Sequence, residues 1–202
     1  EIGCGTGAGL IAAAKAVGER GHVAGVDVSH PMLELAKARV AKAGLRNVTC
    51  ELADAQVHAF DDSGADHLMS RFGVMFFSDP VAAFANMKSA LKPGGRMTFV
   101  CWAGMAENPW FRVPAEVAKG VVGVPPPRDP RAPGPMAFSE PDYVGGIVEE
   151  AGFREVELNT EPVTLTPLGD LARNADFASR EGPAGRILIV WAASAASVGD
   201  ST

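Results

Sequence analysis

The sequence predicts an α/β fold, in which strands and helices alternate to build a mostly parallel sheet. Two observations carry this. Between residues 9 and 103, short apolar runs of β type alternate with segments whose apolar residues recur at helical spacing, the pattern of successive βαβ units. At the start, EIGCGTGAG sets glycines at positions 3, 5 and 7 ahead of an Ala-rich stretch. A strand-to-helix turn of that composition lets bare backbone meet a ligand.

Each element follows from local chemistry. GLIAAAKAVGERG predicts a helix ending at Gly18 or Gly21. HVAGVDVS predicts a buried strand with an acid at its end. Ser29 is placed to cap, and Pro31 to open, a helix through MLELAKARVAKAG. NVTCELADA is a third β-type run, and ADHLMSRFGVMFF starts as a strand that breaks at Gly73. In DPVAAFANMKSALKPGG, Asp79 caps a helix, Pro80 takes its first position and Pro93-Gly94-Gly95 ends it. RMTFVCWA is the next strand.

The alternation breaks at Gly104. Residues 104–138 hold PPPRDPRAPGP and read as a lid or loop without regular structure. Beyond it, SEPDYVGGIVEEAGF predicts a helix capped by Ser139 with Pro141 in its first turn, and REVELNTEPVTL predicts a strand. ILIVWAA fits either a last strand or a piece of helix.

The chain of 202 residues, 47% apolar and 21% charged, suits one domain with a packed core. A net charge of -6 argues against nucleic-acid binding through a basic face. No apolar run reaches the roughly 18 to 20 residues of a membrane span. Cys4, Cys50 and Cys101 lack metal-ligand spacing, so no metal site is expected. They read as small buried hydrophobes of a reducing cytoplasm.

Two ligands compete for the glycine turn. A dinucleotide is suggested by Gly3, Gly5 and Ala8 in GxGxxA, with Asp27 about 20 residues on, where a ribose-binding acid belongs. S-adenosylmethionine carries no phosphate but a sulfonium and an ammonium, so an acid beside the turn is useful to it. Glu1 fits the second ligand better, and an NAD(P)-dependent oxidoreductase is further disfavoured because Tyr143 does not open a Tyr-x-x-x-Lys pair.

A series of motifs extends this reading. EIGCGTG resembles the first motif of class I S-adenosylmethionine-dependent methyltransferases, GVDVS the second-strand motif, LADAQ the third-strand motif and LKPGGRMTFVCW the turn into the fifth strand. SRFGVMFFSDP resembles a small-molecule branch related to the ubiquinone/menaquinone-biosynthesis methyltransferases. The likeness is close over residues 1–103 and loose over 136–160.

The resemblance implies a three-layer, Rossmann-like sandwich whose first strand is missing ahead of Glu1, so that the chain reads as N-terminally truncated. It divides a single domain, residues 1–202, into a cofactor-binding half (1–103), a lid (104–138) and a substrate half (139–202). It also implies site roles. Gly3, Gly5 and Gly7 line the methionine part and ribose, and Glu1 works around the ammonium. Asp27 accepts from both ribose hydroxyls. Asp54 accepts from the adenine amine, the Ala55 N–H donates to the ring, and Val28 and Met32 flank it. Ser70 and Arg71 face the methionine end. The implied reaction is in-line methyl transfer to a small molecule, in which the donor carries most of the driving force.

No catalytic base stands out. His58 and His67 read as surface histidines, Trp102 as core, and Trp110 and Phe111 as candidates for an acceptor pocket that Tyr143 and Glu140 could reach. A cofactor-binding domain without activity is the remaining alternative, because the strand expected ahead of Glu1 is missing and the tail after GPAGRI is short for this branch, which leaves open whether Ile187–Ala192 is the last strand.

Overall fold

The computed structural model describes residues 1–60, 64–164 and 184–194. The middle of the polar stretch between His58 and His67, the end of REVELNTEPVTL at Leu165 and the start of GPAGRI lie outside the described residues.

Among the described residues the chain forms five α-helices and six strands in the order α1 (Ala8–Val17), β1 (Val23–Asp27), α2 (His30–Lys42), β2 (Val48–Leu52), β3 (Ala65–Arg71), α3 (Pro80–Ser89), β4 (Leu91–Trp102), α4 (Pro109–Val122), α5 (Pro141–Glu150), β5 (Arg154–Thr164) and β6 (Ala184–Ala193). Short 3₁₀ turns sit at Val74–Phe76 and Met105–Glu107. Two helix ends follow the sequence closely. Gly18 ends α1, and the Asp79 carboxylate accepts from the Ala82 N–H at 3.0 Å to start α3.

β1 pairs with β2 in parallel, and β3 with β4 in parallel, while β6 runs antiparallel between β4 and β5. ILIVWAA is therefore strand throughout, and Ile187–Ala192 lies inside β6.

Glu1–Gly3 stitches the two groups of strands together. The Ile2 N–H donates to Met69 O at 2.8 Å, the Val26 N–H donates to Glu1 O at 3.0 Å, and the Gly3 N–H donates to Val26 O at 2.9 Å. Ile2 bridges Val26 in parallel. The residues entering the glycine turn thus hold the position between β1 and β3 that the sequence left without a strand.

Strand alternation sends side chains to two faces. On one face, Val23 joins Cys4, Leu10, Ala14 and Leu33 under α1 and α2. On the other, Ile2, Val26, Phe99 and Val190 join Phe84 of α3 and Val144 and Val148 of α5. Phe84 lies 5.2 Å from Phe99 and 6.1 Å from Phe138, and all three are buried. Each such ring contributes roughly 1.5–3 kcal/mol by leaving water. Helices on both faces of one sheet give the three layers that the sequence predicts.

Three local expectations need correction. Residues 109–122 form a helix of 14 residues inside the segment read as a loop. Pro109 opens it, where a missing N–H is harmless, Pro114 lies inside it and gives up one helical hydrogen bond, and the dense prolines fall only after its end. Pro93-Gly94-Gly95 does not end α3, which stops at Ser89; the turn lies inside β4, where the register against β3 shifts between Ala65 and His67. Finally, Glu140 rather than Ser139 is the N-cap of α5.

Candidate functional site

A cleft of about 530 Å³ opens at the carboxyl ends of β1 and β3. Its wall includes Gly3, Gly5, Asp27, Val28, Met32, Asp54 and Ala55, seven of the residues that the sequence proposes. Glu1, Gly7, Ser70 and Arg71 do not line it.

The three alternate glycines do three different jobs. All have positive φ, +65° at Gly3, +52° at Gly5 and +79° at Gly7. A Cβ on Gly3 would meet Gly73 Cα at 2.7 Å, and one on Gly7 would meet the Ala36 Cβ of α2 at 2.9 Å. Both close contacts are internal to the protein. At Gly5 the nearest atom to such a Cβ is Met32 Sδ at 3.9 Å, so this is where bare backbone faces open space.

The Gly5 N–H donates to Asp27 Oδ2 at 2.7 Å, and the Ser29 N–H donates to Asp27 Oδ1 at 2.9 Å. Each carboxylate oxygen keeps a free lone pair for a ligand hydroxyl. Asp54 is exposed, and its Oδ1 accepts from the Gln56 N–H at 2.9 Å. The Gln56 side chain in turn accepts from the Ser78 and Asp79 N–H groups, fixing the turn after β2 against the start of α3.

Glu1 lies behind the turn. Its side chain is buried beside Gly9, takes a hydrogen bond from the backbone of Leu10 in α1, and leaves Oε2 without a partner. Burial pushes its carboxyl above the ordinary range. Ser70 is also buried and serves the backbone: its hydroxyl donates to Ile2 O at 2.8 Å and accepts from the Gly73 N–H at 3.2 Å. Arg71 is exposed.

Sequence reasoning missed Phe72, Gly73, Phe76 and Phe77, which form the far wall of the cleft. The FGVMFF stretch at a strand's carboxyl end carried that signal. It also missed Asn108, which is fully buried. Asn108 Nδ2 donates to Ala103 O, Gly104 O and Arg186 O at 2.9–3.1 Å, and Oδ1 accepts from the Arg186 N–H at 3.0 Å. This one side chain ties the start of α4 to β4 and β6.

The proposed acid–base residues lie elsewhere. His58 faces Glu51 at 3.6 Å and the Phe60 ring at 4.8 Å, and burial lowers the pKa of His67. Arg131 pairs with Glu140 at 2.9 Å and sits over the Tyr143 ring at 4.2 Å, so these two residues are tied to each other's neighbourhood. None of the four lines the cleft. Among the described residues no group of acids, histidines and cysteines could hold a metal, and no helix is long and apolar enough to cross a membrane.

The open backbone at Gly5 and the free lone pairs of Asp27 face the cleft, while Glu1 Oε2 stays buried behind the turn. Residues 1–95 match the family described as methyltransferase domain. The chain is 38% identical over 99 residues to the aklanonic acid methyltransferase DauC of Streptomyces sp. (strain C5), an alignment covering 49% of this chain and 45% of that protein. It is 31% identical over 176 residues to the nocamycin O-methyltransferase of Saccharothrix syringae, covering 82% and 62%. The chain thus spans about half the length of these curated relatives. A crystal structure of a SAM-dependent methyltransferase from Aquifex aeolicus superposes with a TM-score of 0.61 at 23% identity, over 95% of this chain and 79% of that one, a likeness of fold.

Proposed function

We propose that the chain, whose residues 1–95 match the methyltransferase-domain family, is a class I S-adenosylmethionine-dependent methyltransferase that transfers a methyl group from S-adenosylmethionine to a small-molecule acceptor by in-line displacement. The observation that carries this is Asp27, held by the Gly5 and Ser29 N–H groups at the edge of an open glycine backbone.

When bound, the cofactor supplies a methyl on a sulfonium, whose carbon–sulfur electron pair returns to sulfur as the acceptor atom bonds the carbon. The residues of the chain bind and orient. Asp27 accepts from ribose hydroxyls, Asp54 accepts from the adenine amine, and the Ala55 N–H donates to the ring between Val28 and Met32. Gly5 admits the ligand to the backbone. Glu1 acts on the ammonium from behind the turn, and Arg71 favours the charged form of Glu1. Gly3, Gly7 and Ser70 act as positioning residues, because they set the course of the turn. Residues 104–138 cover the acceptor, and residues 139–164 and 184–194 complete its side of the fold. Three free cysteines and an acidic chain support a cytoplasmic setting.

Titration calorimetry with S-adenosylmethionine and S-adenosylhomocysteine tests the reading. Both are expected to bind, and Asp27→Ala is expected to weaken them with the fold retained. Binding of a nicotinamide dinucleotide in their place would overturn it.

A further inference from the structure

Asp54 and Ala55 line the cleft from a turn that α3 holds in place. The turn follows β2 and closes on itself, with Asp54 O accepting from the Val57 N–H at 3.1 Å and the His58 N–H at 2.8 Å. Its next carbonyls go to the helix. Asn86, half-buried on α3, donates through Nδ2 to Ala55 O at 3.0 Å and to His58 O at 2.9 Å. Both partners are acceptors, so the amide nitrogen and not its oxygen must face them, and both of its protons are used. Gln56 adds a second tie, accepting from the Ser78 and Asp79 N–H groups where α3 begins.

These bonds leave a donor beside an acceptor. Ala55 is buried, yet among the described residues its N–H meets no acceptor. A buried N–H without a partner is costly, and this residue stands in the wall of a cleft. Asp54 Oδ1 takes the Gln56 N–H, and Oδ2 remains as an acceptor. Adenine presents the complement, an amine donor beside a ring-nitrogen acceptor. Asn86 does not line the cleft. It holds the carbonyl of Ala55, and with it the orientation of the residue whose N–H is the donor. A hydrogen bond weakens steeply when misaligned, so a donor fixed in advance discriminates between base edges better than a loose one.

We propose that Asn86 is a positioning residue that determines the base selectivity of the cofactor site, acting through Ala55 to favour adenine over hypoxanthine. This role rests on the methyltransferase reading and adds a residue outside the cleft on which the choice of base depends.

The test compares S-adenosylhomocysteine with S-inosylhomocysteine, in which an oxygen replaces the amine and the adjoining ring nitrogen carries a proton. Affinity of the full chain for each is measured by titration calorimetry. The adenosyl compound is expected to bind roughly ten- to a hundredfold more tightly. Asn86→Ala removes the amide and leaves a good helix former on α3, while Asn86→Asp keeps the size of the side chain but removes both donors. In each, the ratio is expected to fall by roughly three- to tenfold, mainly through weaker binding of the adenosyl compound. Asn47→Ala separates this from a loss of stability. Asn47 Nδ2 donates to Ala14 O, Gly18 O and Gly21 O at 2.9–3.2 Å, and none of these residues lines the cleft. Its loss is expected to lower the melting temperature and leave the ratio unchanged. Equal affinity of the unsubstituted chain for the two compounds, a ratio unchanged in both Asn86 variants, or an equal fall in Asn47→Ala would overturn the role of Asn86 and leave the cofactor reading intact. Failure of S-adenosylhomocysteine to bind the unsubstituted chain would overturn both.

Discussion

The Gly5 N–H and the Asp27 carboxylate meet at 2.7 Å, joining the open point of the glycine turn to the acid that ends β1. A hydrogen bond to a charged group contributes about 1.5–3 kcal/mol. This one also fixes where the free lone pairs of Asp27 point. Asp27→Ala removes the acceptor and leaves the Gly5 N–H without its partner. Affinity for S-adenosylhomocysteine is expected to fall by roughly ten- to a hundredfold by calorimetry, with the circular dichroism spectrum retained. Unchanged affinity would remove Asp27 from the site.

The glycines separate by what they touch. Gly3→Ala and Gly7→Ala set a Cβ against Gly73 and Ala36, and both are expected to lower the melting temperature strongly. Gly5→Ala meets no such atom and suffers mainly the backbone penalty of about 1 kcal/mol. Its melting loss is expected to be the smallest of the three and its loss of cofactor affinity, relative to stability, the largest. Equal behaviour of all three in paired melting and binding curves would contradict this division.

Asn108→Ala is expected to destabilise the fold by about 2–4 kcal/mol. It takes the partner from the Arg186 N–H and from Ala103 O at a fully buried side chain, while Gly104 O keeps the Glu107 N–H and Arg186 O keeps the Ala103 N–H. Limited proteolysis should then cut first within α4, and a digestion pattern identical to that of the parent chain would argue against its anchoring role.

Alkaline stability follows from two thiols. Burial pushes Cys4 and Cys101 from an ordinary 9.0 up to about 12. Above pH 9 the unfolded chain gives up thiol protons that the folded chain retains. Their contribution is therefore fully present below pH 9 and lost as pH rises through about 12. Denaturant titrations should show stability falling across that window, with a shallower fall in Cys4→Ala/Cys101→Ala. A parallel slope in the double variant would assign the loss to other groups.

Where local chemistry decides, the sequence is readable. The α1 stop at Gly18 and the Asp79 cap of α3 depend on residues a few positions apart. The order of β-type runs rests on periodicity, which survives without tertiary information. Asp27 and Asp54 are legible because they end apolar runs. The function of Gly3 is not, since its neighbour Gly73 is 70 residues away, and nothing local tells a glycine needed for packing from one facing a ligand. Asn108 escaped for the same reason. Its partners on β6 lie 78 residues on, and an asparagine beside a proline reads as a turn. α4 is hard to read in the sequence because dense prolines follow directly on its end.

No residue of α4 is buried, whereas both apolar clusters that hold the sheet are complete without it. Its attachment includes Asn108 and the edge of Trp102. A stretch that buries none of its own residues can be exchanged for another of different length or shape while the scaffold and the Asp27 end remain as they are. Variation within Met105–Val122 should therefore change which acceptors are taken without changing the methyl donor. That makes this stretch the natural place for chimeras between relatives, and for the divergence that separates one acceptor preference from another.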